Sequence, residues 1–163
     1  MSQQTPATPQ QQPQQQQKQT KKSKVQERTD ALKNIFEKYE YAPIYQLAED
    51  MLVRAIMLQA GMDKKHKYTF GTRFVTQVEE LIERIAWAYQ ETQNPKLKVG
   101  LIKSVLRKVT SVLIKIRCGS RLNIIKGQSH LDFIDNAISI IKQASGWLAK
   151  LGENGEGIKF VRH

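Results

Sequence analysis

The chain has 163 residues, 40% of them hydrophobic, and a formal net charge of +11 from 26 basic and 15 acidic residues. This length supports one domain core plus tails, and no apolar run approaches the roughly 18 residues that a membrane-spanning helix needs. The single cysteine, Cys118, cannot form an internal disulfide, and the N-terminus lacks the charged-then-apolar layout of a secretory signal. We therefore expect a cytoplasmic protein without membrane partners.

The two ends of the chain differ in composition from its middle. The beginning consists mainly of Gln, Pro, Thr, Ser and Lys, and such a segment cannot bury enough apolar surface to offset its conformational entropy. We therefore expect a disordered tail over residues 1–28. A folded domain is expected at residues 29–151, beginning with a short amphipathic extension. The closely spaced glycines of residues 152–163 predict a flexible C-terminal tail.

Four amphipathic helices are predicted, because apolar residues recur at steps of three and four. The first two lie in the N-terminal half of the domain. One covers about residues 43–59, with Pro43 in its first turn and Gly61 at its end. The next covers about residues 70–92, and Asn94-Pro95 stops it because proline cannot continue the helical hydrogen bonds.

The other two helices follow with the same periodicity. The third covers about residues 96–117, with its apolar residues on one face at 100° per residue. The fourth begins near Ser129, where Ser129–Asp132 has the layout of a capping box, and Gly152 ends it. No alternating strand pattern appears. The predicted fold class is all-α, an antiparallel four-helix bundle, because this arrangement buries the four stripes most simply.

Large apolar residues also occur away from these stripes. Trp87 lies off the stripe of the second helix, and Ile114 lies almost opposite that of the third. Such residues are either scattered surface hydrophobes or contacts with another copy of the chain.

The third helix and the segment after it form an uncompensated basic region. No acidic residue occurs between Glu91 and Asp132, whereas nine lysines and arginines do. Burial of the apolar stripe displays these cations on a folded surface, where they can contact a phosphate backbone as an array. The predicted nucleic-acid-binding residues are Lys96, Lys103, Arg107, Lys108, Lys115, Arg117, Arg121 and Lys126.

The helical wheel and the residue types indicate how this region would bind. The cations nearly opposite the stripe are Lys96, Lys103, Arg107 and Arg121, and those that flank it are Lys108 and Lys115. Residues 96–126 contain no aromatic side chain for base stacking and no obvious set of amides for base edges. Contact with the backbone, with little sequence preference, is therefore expected. The alternatives are a merely solvated basic face and a surface that docks on an acidic protein.

No catalytic or metal site is predicted, and we expect neither an enzyme nor a cofactor. A zinc site needs about four converging ligands, whereas Cys118 stands alone and the histidines lie far apart, at positions His66, His130 and His163. The carboxylates of the second helix, Glu79, Glu80 and Glu83, are expected to form a solvated face. In that face Glu80 would pair with Arg84 one turn later.

Four stretches between about Tyr41 and Lys150 carry a family pattern through their order and spacing: Tyr45–Asp50, Tyr68–Phe74, Leu113–Arg117 and Ile141–Lys150. The last, with small residues before Gly-Trp-Leu and a terminal Lys, is the most distinctive. Together they resemble the accessory variability determinant (Avd) proteins of diversity-generating retroelements. These belong to a wider four-helix bundle family that includes proteins encoded in ribosomal RNA intervening sequences.

The resemblance implies a homopentameric barrel of bundles with a basic surface and no enzymatic activity. It also implies binding to nucleic acid and to the retroelement's reverse transcriptase, with template RNA and its cDNA as nucleic-acid partners. The expected function is support of mutagenic cDNA synthesis in diversity generation. The alternative is a protein-interaction bundle of the ribosomal RNA intervening-sequence type, without a reverse-transcriptase partner.

Overall fold

The computed structural model describes residues 26–31, 34 and 42–152. They fall in two units, the first holding residues 26–31 and 34 and the second holding residues 42–152. The described residues of the first unit are helical. The predictions for residues 1–25, 32–33, 35–41 and 153–163 lie outside the described residues.

The second unit is built from helices, which confirms the all-α prediction for this part of the chain. A short helical turn, Lys64–His66, leads directly into a π-helical turn, Lys67–Gly71. No strand occurs within residues 42–152. The long helices are α1 (Pro43–Ala60), α2 (Thr72–Gln90), α3 (Pro95–Arg121) and α4 (Gly127–Lys150).

The boundary between α2 and α3 differs from the prediction in the role of Asn94-Pro95. Helix α2 ends at Gln90, and Asn94 caps the start of α3, where its Oδ1 accepts a hydrogen bond of 3.1 Å from the Leu97 N–H. Pro95 is the first residue of α3, a position at which a missing N–H costs nothing. The pair therefore starts one helix rather than stopping the other.

The predicted capping box at the start of α4 is wrong. The helix begins at Gly127, so Ser129 already lies inside the first turn. Asp132, expected to reach back to the helix start, instead accepts hydrogen bonds from Gln128 at 2.8 Å and from Arg54 of α1 at 2.6 Å. Gly127 has a φ of +54°, which glycine adopts without strain. The helix therefore begins at Gly127, two residues before the predicted start at Ser129.

One hydrophobic core connects the four helices, with α1 and α3 each packing against both α2 and α4. The Phe74 ring meets Phe133 edge-on at a centroid distance of 5.2 Å and stacks on Phe70 at 5.7 Å. The core contains no buried charged or polar residue within the described part of the chain. Its largest fully buried members are Phe74, Phe133, Ile44, Met51, Leu81, Ile85, Ile102, Ile116, Ile125, Ile140, Leu148 and Val78.

Close backbone approaches fix the connection between α1 and α2. A Cβ atom on Gly71 would lie 2.8 Å from Gln59 Cγ and 2.9 Å from Met62 Sδ, so a larger residue does not fit there without a shift. In the same way, a Cβ on Gly119 of α3 would lie 2.7 Å from Phe70 Cζ. The π-helical turn is therefore held against both α1 and α3. In residues 26–31, 34 and 42–152, no helix is both long and apolar enough to cross a membrane.

Candidate nucleic-acid interface

The outer face of α3 carries a line of exposed cations, here called the α3 row, made up of Lys96, Lys103, Arg107, Arg117 and Arg121. At a rise of 1.5 Å per residue, the row extends over roughly 38 Å. The opposite face of α3 is buried in the core from Ile102 to Ile116. This confirms that burial of the apolar stripe places these cations in solvent.

Ion pairing neutralises little of the α3 row. Within residues 26–31, 34 and 42–152, Lys96, Arg107, Arg117 and Arg121 have no carboxylate within pairing distance. Near the start of the helix, the half-buried Lys98 donates from Nζ to the backbone oxygen of Glu91 at 2.8 Å. Adjacent like charges on a folded helix repel one another, and an anionic strand relieves this repulsion.

Lys108 lies apart from the row because α2 neutralises it. Its Nζ forms an ion pair with Glu80, and its side chain is only 13% exposed. The hydrogen bond from Lys108 lowers the pKa of the Glu80 carboxyl below its ordinary value. The expected Glu80–Arg84 pair is therefore replaced, and Arg84 instead donates a hydrogen bond to Ser104 Oγ. Lys108 thus serves as a contact between α2 and α3.

Lys115 is half-buried and lies over an aromatic ring. Its Nζ is 5.5 Å from the centroid of Phe70, which belongs to the π-helical turn before α2. This cation–π contact fixes the direction of the side chain while leaving its charge unneutralised. Lys115 therefore extends the positive surface from α3 towards the connection between α1 and α2.

Lys126 is exposed in the connection between α3 and α4, beside a groove. The groove has a volume of about 680 Å³ and also includes Met57, Met62, Leu122 and Asp63 in its lining. It lies between the α1–α2 and α3–α4 connections. Lys126 is thus the predicted site residue that stands at this groove rather than on the outer face of α3.

Sequence reasoning missed a second basic segment, which lies in the α1–α2 connection. Lys64, Lys65 and Arg73 are exposed there, and Lys67 is half-buried. The signal was present in the sequence, because four lysines and arginines surround Tyr68 between Asp63 and Phe74. Tyr68 lies outside residues 96–126, the range of the predicted interface.

Several large apolar side chains lie on the surface. Trp87 and Ile114, which the sequence placed off the stripes, are both exposed. Three further exposed residues, Val53, Ile56 and Met57, occur at helical spacing along the outer side of α1. This outer α1 face is the largest set of exposed apolar residues on one helix in the described part of the chain.

The described residues contain no group of three or more His, Cys, Asp or Glu side chains that could hold a metal ion. His66 lies near one carboxylate, with its Nε2 atom 3.8 Å from Asp63 Oδ2. That carboxylate also accepts the His66 backbone N–H at 2.8 Å and so caps the short helical turn. The arrangement stabilises the connection.

Comparison of the chain with protein-family models, curated proteins and solved structures gives no match. The resemblance to Avd proteins therefore stays a prediction that rests on the four sequence stretches.

Proposed function

We propose that this protein is a non-catalytic nucleic-acid-binding protein that contacts a phosphate backbone through the α3 row. The observation that carries this proposal is the placement of Lys96, Arg107, Arg117 and Arg121 on one exposed face without carboxylate partners in the described part of the chain. A rigid array loses less side-chain and backbone freedom on binding than a disordered basic tail does. Phosphate contacts of this kind set affinity and orientation but carry no base information.

The partner in this proposal is a retroelement reverse transcriptase with its template RNA and cDNA. The support is the resemblance of residues 41–150 to Avd proteins. In this role the protein captures template RNA electrostatically and holds it beside the polymerase, without performing chemistry itself. The second candidate is a protein-interaction bundle of the ribosomal RNA intervening-sequence type. The outer α1 face favours it, because exposed apolar residues on one helix face often mark protein contacts.

We also propose that the four helices form an antiparallel bundle. Contacts between α2 and α3 support it, because Arg84 meets Ser104 whereas Glu80, earlier in α2, meets Lys108, later in α3. Contacts between α1 and α4 also join later residues of one helix to earlier residues of the other. Arg54 pairs with Asp132, and Asn136 lies opposite the earlier Leu47, with 3.4 Å between its Nδ2 atom and the Leu47 carbonyl oxygen. The resemblance further suggests five copies in one barrel, with Trp87 among the subunit contacts.

Two variants of equal net charge test the nucleic-acid proposal. Arg107→Gln with Arg121→Gln removes two charges from the α3 row, whereas Lys142→Gln with Lys150→Gln removes two exposed charges from α4. We expect the first variant to bind RNA about tenfold or more weakly at about 0.1 M salt, and the slope of log K against log salt to fall by about two. Fluorescence anisotropy over a salt series measures both quantities.

The matched α4 variant should lose much less affinity, and both variants should keep the wild-type melting temperature because the substituted side chains are exposed. An equal loss in the two variants would mean that net charge alone drives binding. Unchanged binding by the α3 variant would contradict the proposed interface.

A further inference from the structure

Hydrogen bonds within the α1–α2 connection hold its turns. Asp63 caps its first turn through the His66 N–H, and the Asp63 backbone oxygen accepts the Lys67 N–H at 2.9 Å. The Thr69 hydroxyl donates to the Lys65 backbone oxygen at 2.8 Å. These bonds define the path of the backbone through the connection.

Phe70 anchors this connection in the core. Its side chain is 7% exposed, stacks on Phe74 and lies under Lys115. The missing side chain of Gly119 allows the Phe70 ring to approach the α3 backbone closely. The connection is thereby fixed beside the C-terminal half of α3, where Arg117 and Arg121 of the α3 row are exposed.

Tyr68 faces the other way. It lies two residues before Phe70 in the same π-helical turn, so the two side chains are roughly 160° apart around the helix axis. Tyr68 is 67% exposed, and it makes no hydrogen bond or ring contact within residues 26–31, 34 and 42–152. A large aromatic side chain is thus displayed to solvent by a turn whose geometry the core holds.

Cations flank this ring. Lys64 precedes Tyr68 by four residues, which is close to one turn at the α-helical and at the π-helical angle per residue alike, so both lie on one side of the segment. Lys65 and Arg73 lie within five residues of Tyr68 along the chain, and all three cations are exposed. No acidic residue occurs between Asp63 and Glu79. An exposed aromatic ring bordered by several cations has the composition of a site for single-stranded nucleic acid.

We propose that Tyr68 stacks on an unpaired base while Lys64, Lys65 and Arg73 contact the adjoining phosphates. The inference rests on the proposed function, and it specifies that the nucleic acid contains single-stranded nucleotides at this point. The bases of a duplex are already stacked on one another and cannot gain this contact. Because every base has a flat face, the site selects for strandedness rather than for sequence.

The test compares Tyr68→Ala, Tyr68→Phe and wild-type protein on a short oligouridylate and on an RNA duplex of the same length. Loss of one stacked base should weaken oligouridylate binding by Tyr68→Ala about tenfold or more, whereas duplex binding changes less than about twofold. Tyr68→Phe keeps the ring and should bind as the wild type does. The salt slope should stay constant in both variants, because no phosphate contact is removed.

Leu131→Ala is the matched control, since it removes another exposed apolar side chain and should leave both affinities unchanged. Equal weakening on the two RNAs, or a loss in Tyr68→Phe as large as in Tyr68→Ala, would overturn stacking. Unchanged oligouridylate binding by Tyr68→Ala would also overturn it. If that variant instead lost a protein partner, Tyr68 would belong to a protein interface.

The outcomes separate this inference from the proposed function. If Tyr68→Ala has no effect while the Arg107 and Arg121 variant binds more weakly, the proposed base contact is overturned and the proposed α3 interface is retained. Wild-type protein that binds neither RNA overturns both proposals.

Discussion

Two glycines of α3 have opposite surroundings although they belong to the same helix. A Cβ on Gly119 would meet Phe70 Cζ at 2.7 Å and Ile125 Cδ1 at 2.8 Å, and both of these side chains are buried. A Cβ on Gly100 would have no heavy atom within 4 Å. A substitution by alanine at Gly119 therefore tests steric crowding in the core, whereas the same substitution at Gly100 tests only the higher helix propensity of alanine.

We predict that Gly119→Ala lowers the free energy of unfolding by about 1–2 kcal/mol, because overpacking of the Phe70 contact outweighs the gain in helix propensity. Gly100→Ala should raise it by up to about 1 kcal/mol. Urea unfolding followed by circular dichroism measures both changes. If both variants were stabilised by the same amount, the prediction would be wrong, because the Phe70 and Ile125 side chains would then move to accommodate the added methyl group without a cost in free energy.

Helices α2 and α3 are joined by the ion pair between Glu80 and Lys108. The Lys108 hydrogen bond lowers the Glu80 pKa, with a further contribution from the nearby charge of Arg84. A carboxyl whose pKa is lowered by folding stabilises the protein above its unfolded pKa. That contribution is lost as the pH falls through the lower, folded-state pKa.

Glu80→Gln should therefore unfold more easily than the wild type at neutral pH, by about 1 kcal/mol or less. The magnitude is limited because the Glu80 side chain is 45% exposed and solvent screens the pair. The difference should shrink as the pH falls below the ordinary Glu range and vanish below the folded-state pKa. Denaturant unfolding across a pH series tests this. Glu83→Gln, an exposed change on the same helix, is the matched control and should leave the free energy of unfolding at neutral pH unchanged.

The helices themselves could be predicted well because their apolar periodicity reflects burial directly. Helix α1 spans Pro43–Ala60 against a predicted 43–59, and Gly61 caps it with its N–H on the Met57 oxygen at 3.2 Å. The four-residue extension of α3 to Arg121 was missed, since the residues after Arg117 are mostly polar or small. Their helical geometry comes from contacts such as Gly119 with Phe70, which a local pattern does not contain.

The candidate site also has features that the sequence pattern predicted and features that depend on tertiary contacts. The exposure of Lys96, Arg107 and Arg121 followed from the helical wheel, since each lies opposite a continuous buried stripe. The neutralisation of Lys108 could not be predicted, because it depends on how α2 and α3 are placed side by side. Tyr68 was missed because it precedes the predicted second helix, which began at about residue 70, so no helical wheel gave its direction.

The outer α1 face remains exposed in the single chain. Val53, Ile56 and Met57 lie on one side of α1 and are 52%, 47% and 70% exposed. In the pentamer that the first candidate function implies, we expect this face to be buried between copies of the chain, whereas in the second candidate function it would contact another protein. Association that hides exposed apolar side chains is favourable in proportion to the area removed from water.

We predict that the native mass of the wild-type protein is five times that of one chain, and that Ile56→Glu with Met57→Glu reduces it to a single chain. The free energy needed to bury two carboxylates in an apolar contact exceeds the free energy that the contact contributes to association. Native mass spectrometry measures the change. Helix content should be retained because both side chains point away from the core, and Thr76→Glu, an exposed change on α2, should leave the mass unaltered. A five-fold mass in the double variant would place the subunit contact elsewhere.

Cys118 is exposed on α3, directly after Arg117 and three residues before Arg121. Because it is the single thiol in the chain, a maleimide dye or a nitroxide spin label attaches there without any engineered residue. Such a probe sits within the proposed contact zone, so its mobility and fluorescence would report strand capture in real time. A disulfide-tethered oligonucleotide at this thiol would likewise hold a complex together for structure determination.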